Sequence, residues 1–111
     1  MRLSLAVLAL FAAMPPAASA QQPGGKGEPA IGLELSAKLC SGCHVIAPDQ
    51  VSGTVSDGVP SFMEIARGPR GDPELLDEVL IQPTHPAMPE PPLSGIERAH
   101  VVAYIMSLEE R

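Results

Sequence analysis

The sequence predicts a small all-α domain of about four short helices joined by proline- and glycine-rich loops. Three observations carry this prediction. Apolar residues recur at helical spacing in separate segments, each bounded by a capping residue, a proline or a glycine. No stretch alternates apolar and polar residues in the manner of a half-buried strand. With 111 residues, 13 Pro and 10 Gly, the chain has length for one domain and punctuation that keeps its helices short. An apolar fraction of 45% argues against wholesale disorder, and a formal net charge of −6 argues against a nucleic-acid binder, which carries a basic patch. The anomaly is the aromatic content, which is limited to Phe11, Phe62 and Tyr104. Aromatic side chains usually dominate core energetics, and a small chain has little interior to begin with. Something other than protein aromatics is therefore expected to fill this core.

Residues 1–20 read as a signal peptide. Arg2 supplies the positive start, residues 3–14 are apolar except for Ser4, and Ala18-Ser19-Ala20 is a small-x-small cleavage site. An uncleaved membrane anchor is the alternative, because residues 3–20 carry no charge, but Pro15 and Pro16 and the cleavage pattern favour removal. Both readings place the remainder outside the cytoplasm, and the periplasm is the expected location. Arg2 is the only charge in this segment, so its loss takes the formal charge from −6 to −7. Phe11 goes with it, leaving two aromatics.

Residues 21–30 (QQPGGKGEPA) form a flexible leader by composition, and the domain proper is expected over 31–111. A first helix is predicted over 31–39, where Ile31, Leu35 and Leu39 make one apolar stripe. Residues 45–59 read as loop. A short helix over 61–66 opens at Pro60 and closes at Gly68-Pro69, and a third runs from Pro73, a good first-turn residue, to Ile81. Residues 83–92 hold five prolines, at 83, 86, 89, 91 and 92, and form a stiff extended loop. Ser94 caps the last helix and Glu97, three residues on, completes a capping box. At about 100° per residue, Glu97, Val101, Tyr104, Ile105 and Leu108 share its inward face.

Chemistry is concentrated in Cys40-Ser41-Gly42-Cys43-His44, a C-x-x-C-H run that reads as a c-type haem attachment site. Two thiols three positions apart at a helix end reach the two vinyl groups of one porphyrin, and the following histidine is held beneath the iron. The competing readings are weaker. A thioredoxin-type redox pair needs a βαβ context, which is missing. A zinc site needs four ligands, usually including a second close pair, whereas His85 and His100 stand fifteen residues apart. A disulfide across so tight a ring would staple almost nothing.

The iron then has a sixth ligand or an open site. Met88, in His85-Pro86-Ala87-Met88-Pro89, is the favoured ligand, since flanking prolines restrict the free chain and reduce the entropy lost on binding. Its bland alternative is a methionine filling a gap in the pocket. Met63, beside Phe62, reads as packing. Met106 falls about 150° from the core face of the last helix and reads as exposed. His85 and His100 read as loop-bonded or semi-exposed side chains.

The chain resembles the class I c-type cytochromes, and short bacterial members of that family most of all. The resemblance covers about residues 31–108. It rests on Cys40 to His44, on the Gly58-Val59-Pro60-Ser61-Phe62 segment, and on Met88-Pro89 followed by Leu93-Ser94 and a helix ending Tyr104-Ile105-Met106-Ser107-Leu108. It implies four short helices wrapped around one covalent haem c, His44 and Met88 as iron ligands, and no enzymatic activity. It also implies that the first and last helices cross closely beside the haem, with Gly32 permitting the approach and Tyr104 as the aromatic at the contact. Three departures stand out. Ser36 occupies a position that is often aromatic, Arg98 stands where an apolar residue is common, and Pro48 is too near His44 to be the family's supporting proline. The first two predict a looser crossing than usual.

The expected function is one-electron transfer between redox partners met at a small transient interface, favoured by His/Met ligation, which raises the reduction potential. The charge of −7 predicts a basic docking patch on the partner. Lys38, Arg67 and Arg70 are candidate neutralisers of the haem propionates, although solvated surface charge is the commoner role for such residues. Two other functions fit the residues. One is a dedicated haem subunit of a dehydrogenase or oxidase, which would co-purify with it. The other is an open-site haem protein for peroxide or gas ligands, which requires that Met88 not bind.

Overall fold

A computed structural model describes residues 27–50, 58–83 and 87–109. The residues expected to form a signal peptide, most of those expected to form a leader, and His85 lie outside the described residues. Those described form four helices and no strand: α1 (Pro29–Leu39), α2 (Phe62–Arg67), α3 (Pro73–Ile81) and α4 (Gly95–Met106). Each of the first three packs on α4, and the α1–α4 contact is the most extensive.

Local sequence accounts for each helix. Pro29 opens α1 two residues before the predicted start, because its fixed φ suits the first turn and its missing N–H is not needed there. The Glu28 backbone N–H donates to His100 Nδ1 (2.7 Å), tying the start of α1 to α4. Ser61 caps α2 from outside the helix, and with Glu64 it forms a capping box of 2.7 and 3.2 Å bonds. Asp72 caps α3 through bonds from the backbone N–H groups of Glu74 and Leu75, and Pro73 and Ile81 bound the helix as the sequence predicts. The Ser94–Glu97 box opens α4 with bonds of 2.7 and 3.3 Å. Both box carboxylates are held below the ordinary range by the backbone N–H groups they accept from. An N-terminal serine cap contributes about 1 kcal/mol.

The buried face of α1 differs from the predicted stripe. Gly32 and Ser36 are its buried residues, whereas Ile31 and Leu39 are 38% and 44% exposed and only Leu35 packs against the core. The reason is how closely α1 and α4 approach. A Cβ at Gly32 would fall on the His100 carbonyl and within 2.7 Å of Tyr104 Cβ. Only small residues fit a contact between backbones, so the large side chains turn aside.

The crossing is therefore tight, not loosened by Arg98. That side chain turns to α3, where Nε meets Asp77 at 2.8 Å, and a second nitrogen reaches the Leu93 carbonyl at 3.4 Å. The pair is partly solvated, so it adds at most about 1 kcal/mol.

The face of α4 is wider than the single predicted stripe. Val101, Tyr104, Ile105 and Leu108 are buried as expected, and Val102 is buried with them. Met106, expected to be exposed, is half-buried and packs against the core. Three helices cover α4 from different sides, so its apolar arc exceeds what one partner would require.

Candidate functional site

The end of α1 shapes the site. The Ser36 carbonyl accepts from the N–H groups of both Cys40 (2.9 Å) and Ser41 (3.1 Å), which ends the helix. The Cys40 carbonyl then accepts from Cys43 (3.1 Å) and His44 (2.9 Å). One continuous turn thus carries both cysteines and the histidine, and both thiols are free. They differ in environment: Cys43 is exposed, whereas Cys40 packs against the core and burial pushes its thiol up to about 11. The neighbouring Ser36 hydroxyl offsets part of that rise.

His44 is oriented from across the site. Its Nδ1 lies 2.7 Å from the Pro60 carbonyl oxygen. A carbonyl only accepts, so this contact places the ring proton on Nδ1 and leaves the Nε2 lone pair free for a metal. Sequence reasoning missed Pro60 in this position: it excludes Pro48 as too near His44 and assigns no residue in its place, whereas the carbonyl that meets the ring lies sixteen positions on. The signal was present in the Gly58-Val59-Pro60 segment. Gly58 has φ of 83°, a left-handed conformation that a glycine adopts freely, two residues before Pro60.

The two aromatics among the described residues, Phe62 and Tyr104, both serve this turn. Phe62 donates its N–H to the Val45 carbonyl (2.9 Å), and its ring lies 5.5 Å from His44 and 6.3 Å from Tyr104. The Tyr104 hydroxyl donates to the buried Ile46 carbonyl at 2.6 Å. Ile46 N–H in turn donates to Gln50 Oε1 at 2.7 Å. The segment directly after His44 is therefore pinned by α2, by α4 and by its own loop.

Met88 comes from the separate loop between α3 and α4. It is half-buried and packs against the same core. Met63 and Met106 do so as well, so burial alone does not single out Met88. His100, which accepts the Glu28 N–H, is engaged in holding the start of α1. The open cavity of about 380 Å³ on α3, lined by Arg70, Leu75, Glu78, Val79 and Gln82, contains none of the motif residues.

The donor set suits a porphyrin iron better than a bare metal ion. Among the described residues no three His, Cys, Asp or Glu side chains gather as a metal cage. One histidine with a free Nε2 beside two free thiols on a single turn matches two thioether bonds and one axial ligand. No helix among the described residues is long and apolar enough to cross a membrane.

No protein-family model matches the chain, and no solved structure matches it. Cytochrome c-552 of Bradyrhizobium diazoefficiens is 43% identical over 77 residues, which is 69% of this chain and 71% of that protein.

Proposed function

The chain belongs to the class I c-type cytochromes and carries covalently bound haem c; from that premise we propose that it is a soluble one-electron shuttle with His44 and Met88 as the iron ligands, working outside the cytoplasmic membrane. The observation that carries the reading is the 2.7 Å contact of His44 Nδ1 with the Pro60 carbonyl, on the same turn as two free thiols. When bound, the haem supplies a one-electron ferric/ferrous couple. The remaining work falls to the chain. Cys40 and Cys43 each offer a sulfur for a thioether. Pro60 holds the His44 ring through Nδ1, and the Nε2 lone pair would then be the nitrogen that ligates the iron. Phe62 and Tyr104 brace the turn through their ring contacts and the Tyr104 bond to Ile46, which would limit the movement of His44 when the charge on a bound haem changes. Met88 offers a thioether sulfur from a loop stiffened by Pro89, Pro91 and Pro92, and soft axial sulfur favours the ferrous state.

Oxidised and reduced spectra of the purified protein test the cofactor. The ferric protein is expected to show the weak far-red band of sulfur-to-iron charge transfer, and Met88→Ala is expected to abolish it. Persistence of the band in Met88→Ala would assign the ligand elsewhere. Its absence from the unaltered protein would favour an open site instead.

Export is supported by the apolar run over residues 3–14 and the Ala18-Ser19-Ala20 cleavage pattern. The partners are redox proteins. The excess of acidic residues, thirteen against seven basic ones, favours a partner with a basic docking patch. Electron transfer to such a partner is expected to show a second-order rate that falls as ionic strength rises. A rate indifferent to salt would remove electrostatic steering from this account.

A further inference from the structure

Ser36 is 0% exposed, and among the described residues its Oγ is a buried polar atom without a hydrogen-bond partner. Such atoms are uncommon, because a buried hydroxyl with no partner loses its water and regains nothing. A serine inside a helix usually bonds back to the carbonyl four residues earlier, and Ser36 does not. Its position shows what it faces instead. Ser36 lies one turn before Cys40, whose N–H donates to the Ser36 carbonyl, and the two side chains share a helix face. Side chains lean toward the helix N-terminus, which brings the Cys40 sulfur back over the Ser36 hydroxyl. As a thiol, Cys40 is a weak donor and a weak acceptor. As a thioether it has no proton and only accepts.

We propose that Ser36 is a positioning residue for the haem: its hydroxyl donates to the Cys40 thioether sulfur and, through that sulfur, biases the couple toward the ferrous state. The inference rests on Cys40 being an attachment cysteine. The bond gives the buried hydroxyl the partner it otherwise lacks. It also aims the positive end of the O–H dipole at an atom joined to the macrocycle, which opposes the additional positive charge of the ferric form. The residue that departs from the usual aromatic at this position thereby acquires a role.

The test uses holoprotein carrying Ser36→Ala, together with the pair Ser36→Thr and Ser36→Val, which match in shape and differ in the hydroxyl. Peptide mass mapping first establishes whether haem is attached at Cys40. Its absence there would overturn the underlying assignment. With attachment established, redox titration decides the proposal. At the ambient potential where the unaltered protein is half reduced, Ser36→Ala is expected to show a ferrous-to-ferric ratio roughly threefold lower, the scale of a modest neutral hydrogen bond. Ser36→Val is expected to follow Ser36→Ala, and Ser36→Thr to stay near the unaltered protein. An unchanged midpoint in Ser36→Ala, accompanied by greater resistance to denaturant, would overturn the proposal. That combination is what removing a permanently unpaired buried hydroxyl produces.

Discussion

A chain carrying Cys40→Ala and Cys43→Ala together is expected to hold no covalent haem and to be largely unfolded. The physical reason lies in how the described core is distributed. Its ten buried apolar residues are Ile46, Phe62, Ala66, Leu76, Leu80, Val101, Val102, Tyr104, Ile105 and Leu108, and none of them belongs to α1. α1 buries Gly32 and Ser36, which supply close contact but little apolar area. Only two of the ten are aromatic, in a chain already small enough to bury a modest fraction of its surface. Two thioethers would tie the turn after α1 to the haem, and the bound haem would supply the apolar area that this core lacks. Losing them removes from the core the large apolar group that the folded chain would bury, and that loss is comparable to the whole stability of a small domain, about 5 kcal/mol or more. Far-UV circular dichroism and urea titration are the measurements. A cooperative unfolding transition in the haem-free double variant would show that the polypeptide core suffices.

Gly32→Val is expected to destabilise the holoprotein by about 3 kcal/mol, the upper end of overpacking effects, because the clash is with backbone and no side-chain rotation relieves it. The new Cβ would meet the His100 carbonyl and Tyr104 Cβ, so α1 has to lift away from α4. Lifting α1 also disturbs the Tyr104 hydroxyl bond to Ile46 and the Glu28 bond to His100, which depend on the same crossing. Gly42 supplies the control. It lies between the two cysteines, yet a Cβ there would meet nothing within 4 Å. Gly42→Ala is expected to alter stability by no more than about 0.5 kcal/mol. Denaturant midpoints measured at equal haem content compare the two. A Gly32→Val protein as stable as Gly42→Ala would mean that the helices do not meet at that glycine.

What could be read from sequence was local. The Ser94–Glu97 box, the span from Pro73 to Ile81 and the C-x-x-C-H turn each depend on residues within one or two helical turns of one another, and the structure contains each helix where the pattern placed it. Ser61 was readable in the same way, as a cap paired with Glu64, although hydrophobic patterning alone put it one residue inside the helix. The buried face of α1 was not readable, because hydropathy marks Ile31, Leu35 and Leu39 and has no signal for the small residues that permit a backbone contact. Val102 and Met106 were misplaced for a related reason. A single stripe assumes one packing partner, and α4 has three.

The sequence by itself carried the C-x-x-C-H run, two thiols and an imidazole at fixed spacing, and it set Met88 among prolines downstream. Tertiary structure decided how that chemistry is held. It brought the Pro60 carbonyl to His44 Nδ1 and the Tyr104 hydroxyl to Ile46, and it buried Ser36 one turn before Cys40. Spacing along the chain dictates which groups share a turn. Which carbonyl meets which ring nitrogen depends on how closely two distant backbones approach, and here that approach passes through a glycine.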